Sequence, residues 1–323
     1  MISDLNCFIP NLFLFDEYSF AITKATQNKG IENPLKYVYG IIRCKWAFNY
    51  DSFIKMDDNE YAEMLLKEYC ENNIIPVLNF SKTNVESEDL DDKFCNFLLD
   101  KANENKGEVI VASDILFNYI KSKYPDMKIT SSVNLPIYKF QTEEVQNTYN
   151  PQDELNFYND LSKKYDRVII RPEFVKYIEQ GLLPENTEKM ILIVNSSCKS
   201  NCNQFDKCFN CSDSKFICCQ KADKENLGIE KALENIIMLS NTQIENLKEK
   251  GFTNYILKDN KQSLLFLYPL FNSFLFSEDN NVNLNLDIKT EIKENIMSNK
   301  YSSAQQILLF GSTLRNTMNY LDN

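Results

Sequence analysis

Short apolar runs recur along this chain with room for a helix between each pair, and that rhythm restricts the fold more than any other feature. The runs are Tyr37 to Ile42, Ile74 to Leu78, Glu108 to Ala112, Met127 to Thr130, Arg167 to Ile170, Met190 to Val194, Ile236 to Leu239 and Phe252 to Leu257. Each is short and apolar enough for a strand buried on both faces. Helical signals fall between them. Asp57 to Glu71 carries Tyr61, Met64, Leu65 and Tyr69 at helical spacing, and Leu90 to Asn103 carries Phe94, Phe97 and Leu98. Ile115 to Lys123 is stopped by Pro125, Glu154 to Lys164 follows, Pro172 opens a further turn, and Gly251 closes Thr242 to Lys250. Eight strands alternating with helices predict an α/β protein, a closed (β/α)8 TIM-like barrel, with an open doubly wound sheet as the alternative. The segment CFIPNLFLF, from Cys7, reads as a short strand or an apolar lid, DEYSFAITKATQ as a helix, and 135–152 as a long loop. No Pro/Gly/Ser-rich linker divides the chain. Residues 1–260 are expected to form the barrel and 261–323 a C-terminal helical extension packed on it.

Composition then removes whole classes of chemistry. The chain has no histidine, which excludes Ser-His-Asp and Cys-His nucleophilic machinery and HExxH zinc hydrolysis. It has seven glycines and neither GxGxxG nor GxxxxGK[ST], so a Rossmann or Walker nucleotide site is not expected. A net charge of −11 argues against general affinity for nucleic acid backbones, though a local basic groove is compatible with it. The opening MISDLNCFIP lacks the basic start and apolar core of a signal peptide. The run Leu264 to Phe276 is too short for a bilayer and is interrupted by Tyr268, Pro269, Asn272 and Ser273. A cytoplasmic protein with no membrane partner is therefore expected, in which clustered cysteines signal metal or redox chemistry.

A barrel places its working residues at the C-terminal ends of the strands. The residues expected there are Arg43, Asn79, Ser113, Asp114, Ser131, Ser132, Asn134, Arg171, Asn195, Ser240, Lys258 and Asp259. Of these, Arg43, Asn79, Asn134, Arg171, Asn195, Lys258 and Asp259 are the candidate ligand-binding set. Three cations among small polar residues suit a polar, anionic ligand. Ser113 and Asp114 read equally as helix N-caps.

The apolar run ending at Val194 leads into a loop, 195–220, that carries six of the ten cysteines: Cys198, Cys202, Cys208, Cys211, Cys218 and Cys219. The spacing is CxxxC, then CxxC, then an adjacent pair. CxxC places two thiolates within reach of one metal, and four thiolates suit either Zn(II) or an iron–sulfur cluster. Cys198, Cys202, Cys208 and Cys211 are the candidate ligands, with Cys218 and Cys219 in reserve. Cys70 and Cys95 read as core. Cys44 would share the barrel end with the loop. Trp46, the only tryptophan, reads as a packing residue before a mouth-lining one. CxxxCxxC, the radical-SAM signature, occurs nowhere.

With these residues placed, the chain resembles the peptidase U32 family. GEVIVASDILFNYIKSKYPDMKITSSVNLP is similar to that family's strand, short helix and strand; DRVIIRPEF to its next strand-and-helix step. MILIVNSSCKSNC falls where the family's cysteine-bearing strand end lies, and FTNYILKDNK where members carry a strand ending in K-I-E-G-R. The likeness covers roughly 37–260 and transfers Cys198 and Cys202 as ligands. Lys258-Asp259-Asn260 stands in place of the acidic-glycine-arginine turn. The resemblance implies a TIM-like barrel, a 4Fe-4S cluster in preference to zinc, and a hydroxylase or related modifying enzyme acting on a small-molecule or nucleic acid substrate, not a true peptidase. The alternative is a non-catalytic barrel whose cysteine loop is a structural zinc site and which binds a ligand or partner.

Overall fold

The computed structural model describes residues 5–10, 12–13, 16–30, 33, 35–40, 44–47, 59–140, 148–196 and 237–258. Eight parallel strands close into a barrel: β1 (Asn6–Ile9), β2 (Leu35–Gly40), β3 (Ile75–Phe80), β4 (Glu108–Val111), β5 (Ile129–Ser131), β6 (Arg167–Ile170), β7 (Met190–Ile193) and β10 (Asn254–Ile256). Each pairs with the next in this order, and β10 closes the ring between β7 and β1, with Tyr255 opposite Cys7 and Leu192. Two further strands, β8 (Asn195–Ser196) and β9 (Ile237–Met238), form a separate antiparallel ladder.

The expected eight-stranded barrel holds, but one stave differs. The run at Ile236 to Leu239 is not a barrel strand; two of its residues pair with Asn195 and Ser196 outside the ring. Its place is taken by β1, from the segment that read as strand or lid. Cys7, Phe8 and Ile9 are fully buried between β10 and β2. Pro10, which has no N–H for the ladder, follows at once. A four-residue apolar run carries no mark of whether its partner is parallel or antiparallel, which is why the two were exchanged.

Alternation along each strand divides the core in two. One set of side chains faces the barrel axis: Phe8, Tyr37, Val77, Ile110, Ile169, Ile191, Ile193 and Ile256. The other set, including Leu78, Val109, Val111, Val168, Ile170, Leu192 and Tyr255, packs on the helices. Both faces are dry, so the strands read as unbroken apolar runs.

The outer helices are α1 (Asp16–Asn28), α2 (Asn59–Glu71), α3 (Lys93–Glu104), α4 (Asp114–Lys123), α5 (Asn134–Phe140), α6 (Pro151–Lys164), α7 (Val175–Glu179) and α8 (Asn241–Glu249). Local chemistry sets their starts. Asp92 accepts from the Cys95 N–H at 2.8 Å, Asn150 from Gln152 at 3.0 Å, and Ser240 forms a reciprocal capping box with Gln243. Gly251, at φ +92°, ends α8 as expected. In α2 the buried stripe is Ala62, Leu65, Leu66 and Tyr69, while Met64 is 52 % exposed; the stripe lies to one side of the face drawn from the larger residues. The expected loop at 135–152 instead contains α5. Ile137 of α5 and Val133 just before it join the barrel-interior cluster, so this helix covers part of the C-terminal opening. The C-terminal helical extension, 261–323, lies outside the described residues.

The opposite end of the barrel is plugged. Arg167 opens β6 and Glu108 opens β4; the guanidinium bonds to the Glu108 carboxylate and donates to the Tyr37 hydroxyl at 2.7 Å. It lies over the Tyr37 ring at 4.8 Å and the Phe8 ring at 5.6 Å, and those two rings stack at 4.2 Å. Burial pushes the Glu108 carboxyl up, against the pull of Arg167 and Lys128. This packed floor is the structural end of such a barrel.

Candidate functional site

Three of the sequence candidates converge on neighbouring strands at the C-terminal rim. Arg171 continues the inward series Arg167, Ile169 on β6. Asn195 continues Ile191, Ile193 beyond β7, and Lys258 continues Asn254, Ile256 beyond β10. Because β6, β7 and β10 are consecutive in the ring, the two cations flank the asparagine. The Asn195 amide ties the last two ends together: Nδ2 donates to the Lys258 carbonyl and Oδ1 accepts from the Lys258 N–H, both at 2.7 Å. On the far side of β1, the Tyr39 hydroxyl donates to the Leu257 carbonyl at 2.8 Å.

Arg171 is 5 % exposed and held by a carboxylate that is wholly buried. Its Nε and Nη2 donate to Glu154 Oε1 and Oε2 at 2.9 and 2.7 Å. Each of those oxygens accepts one more bond, Oε1 from the Tyr158 hydroxyl and Oε2 from the Tyr149 hydroxyl, both at 2.6 Å. The Tyr158 oxygen in turn accepts from the Arg171 backbone N–H at 3.1 Å. Burial works against the charge of Arg171, and the Glu154 carboxylate overrides it, holding the guanidinium protonated. Burial, then the carboxylate, push both tyrosine hydroxyls well above their usual range. They therefore act as fixed donors. Glu154, Tyr149 and Tyr158 were not among the sequence candidates. A first-turn acid is what the helix dipole favours anyway, and the one local signal is the i, i+4 spacing of Glu154 to Tyr158.

Across the mouth, Asn134 starts α5, and its Nδ2 donates to the Ser81 carbonyl at 2.9 Å, tying β3's exit to β5's. Ser132 Oγ accepts from the Asn134 N–H at 3.2 Å. Asn79 shares the inward face of β3 with Val77. Ser113 caps α4, accepting from Leu116 N–H at 3.4 Å, so the N-cap reading holds for it. Asp114 is not a cap: it sits in the first turn and pairs with Lys164 at 2.6 Å. Ser240 is likewise a cap. Ser131 is fully buried, and its hydroxyl meets no partner among the described residues.

Arg43, Asp259 and the candidate metal ligands Cys198, Cys202, Cys208 and Cys211 lie outside the described residues, as do Cys218 and Cys219. The two ends of the cysteine-bearing segment are described. Ser196 and Ile237 stand opposite each other in the β8–β9 ladder, and the Leu239 N–H donates to the Val194 carbonyl at 2.9 Å. The segment therefore leaves and returns at one point, above β7. Among the described residues no group of three or more His, Cys, Asp or Glu could hold a metal. Cys7 and Cys95 are buried, and Cys44 and Cys70 half-buried. The Cys44 thiol meets Cys95 in the outer core; that contact, with burial, keeps the Cys95 thiol protonated. Trp46 is a packing residue, fully buried against Phe80 and Tyr119, with Nε1 donating to the Asp89 carbonyl at 2.7 Å.

The fold and this rim define a TIM-like α/β barrel with a polar, partly cationic C-terminal mouth. A scan against protein-family models finds no match to the chain, and a search of curated proteins finds no relative. No helix among the described residues is long and apolar enough to cross a membrane.

Proposed function

We propose that this is an iron–sulfur barrel enzyme of the U32 type, acting in the cytoplasm on a small polar or nucleic acid substrate at its C-terminal rim. One observation carries the reading. The segment with six cysteines begins and ends at a single two-residue ladder above β7, between the strand ends that bear Arg171 and Lys258. In a (β/α)8 barrel this is the end where reacting groups gather. The donor set fits an iron–sulfur cluster: several thiols in one segment, and no imidazole anywhere in the chain. Cys198, Cys202, Cys208 and Cys211 would hold it. A bound cluster supplies one-electron transfer or a Lewis-acidic iron. The chain's own contribution is to fix the base of that segment through Asn195, to hold substrate charge with Arg171 and Lys258, and to shield the mouth with α5.

Metal analysis of anaerobically purified protein tests this. Brown protein with acid-labile sulfide and about four iron atoms per chain supports it. Colourless protein without iron overturns it. Stoichiometric zinc in that colourless protein identifies a structural zinc loop instead.

A further inference from the structure

We infer that Arg171 is an oxyanion anchor, held for that task by Glu154, Tyr149 and Tyr158 acting as positioning residues. The proposal deepens the reading of the C-terminal rim as the working face, and it does not depend on the cluster. A guanidinium offers five N–H donors in a planar fork. Here one edge, Nε and Nη2, is bonded to Glu154. The other edge, Nη1, meets no acceptor among the described residues, on a side chain only 6 % exposed just past the C-terminal end of β6. Charge balance is already met by Glu154, so the open edge is not needed to neutralise the carboxylate.

A buried ion pair is also a poor way to stabilise a fold, because apolar residues of the same volume serve as well or better. The buried pair is accounted for if it fixes the plane of a donor fork. Glu154 is fixed in turn by two hydroxyls at 2.6 Å, so the fork has little rotational freedom. A fork of this kind recognises a carboxylate or a phosphate. Lys258, two strands away at the same level, adds a second positive charge on the approach.

The test uses the full chain as purified, with inorganic phosphate and malonate as probes at matched ionic strength and chloride as the control. Calorimetric titration and thermal shift should show saturable binding of at least one probe and none of chloride. The preferred probe then tells a phosphate-bearing substrate from a carboxylate one. Arg171→Met leaves Glu154 buried and unpaired, a change that endangers folding, so Arg171→Met/Glu154→Leu is measured beside it. That double variant should stay folded by circular dichroism and bind at least tenfold more weakly. Tyr149→Phe, which leaves the pair in place but loosens it, should weaken binding severalfold. Absence of saturable binding by the wild-type protein, or undiminished binding by the folded double variant, overturns the proposal. Iron content measured on the same samples keeps the two proposals separate: iron-free protein that binds through Arg171 loses the cluster and keeps the anchor, and brown protein indifferent to both anions does the reverse.

Discussion

Removing both members of the Glu154–Arg171 pair should cost much less than the two single removals added together. The carboxylate is wholly buried and takes four hydrogen bonds, two from Arg171 and one each from Tyr149 and Tyr158. Glu154→Leu leaves a guanidinium with almost no solvent and without the carboxylate bonded to it. Arg171→Met leaves a carboxylate with two neutral donors and no counter-charge. Each single change should therefore cost about 3–5 kcal/mol. Additivity would put the double variant at about 6–10 kcal/mol, enough to unfold a typical domain. The pair instead predicts recovery, because no charge remains to be desolvated. What is left is two tyrosine hydroxyls without their acceptor, at about 1–3 kcal/mol for each that stays dry. The coupling energy should be at least about 2 kcal/mol, within the range measured for contacting residues. Urea unfolding followed by far-UV circular dichroism, with a common m-value, reads all four proteins. A double variant destabilised by the sum of its singles would refute the reasoning.

Asn195→Ala should cost about 1–3 kcal/mol for each backbone group of Lys258 it leaves dry, read as a lower urea midpoint. Gly107→Ala should cost about 1–3 kcal/mol, since its Cβ would stand 2.9 Å from the Pro76 carbonyl and 3.0 Å from that of Ala102, both backbone atoms that cannot step aside. The folded state keeps the Glu108 carboxyl protonated to higher pH than the unfolded chain does. Its contribution is therefore fullest below the ordinary carboxylate range and falls as pH rises through the window above it. Glu108→Gln should accordingly lose less stability than wild type as pH rises above the ordinary carboxylate range, by urea titration at each pH. Burial pushes the Cys7 thiol up to about 12, so at pH 8 its thiolate fraction is about one in ten thousand. Mass spectrometry after native iodoacetamide treatment should find Cys44 and Cys70 labelled well before Cys7 and Cys95.

The alternation of apolar runs was enough to read the barrel, because parallel strands buried on both faces cannot hide in a polar sequence. What it could not convey was partner choice. Residues 7–9 and 236–239 are equally short and apolar, and only long-range pairing makes one a stave and the other half of an outlying ladder. The helix at Asn134–Phe140 was missed because Pro136 reads as a breaker, although proline is well accommodated in a first turn. Among candidate site residues, Arg171, Asn195 and Lys258 were expected at strand ends because each follows an apolar run, and the structure puts them at that rim. Glu154 was not, since its partner lies 17 residues away and nothing local distinguishes a buried acid from a helix-start acid.

The ring is fastened by its first and last staves. Asn6 Nδ2 donates to Asn254 Oδ1 at 3.0 Å, across 248 positions of sequence. During synthesis the other seams can zip as their strands emerge, but the two that flank β10 must wait for Ile256. A nascent or truncated chain stopping short of Asn254 is thus a curled open sheet, with the raw margins of Cys7–Ile9 and Ile191–Ile193 offering unsatisfied amides to any neighbour. Solubility of such fragments should improve abruptly once the final three-residue stave is included.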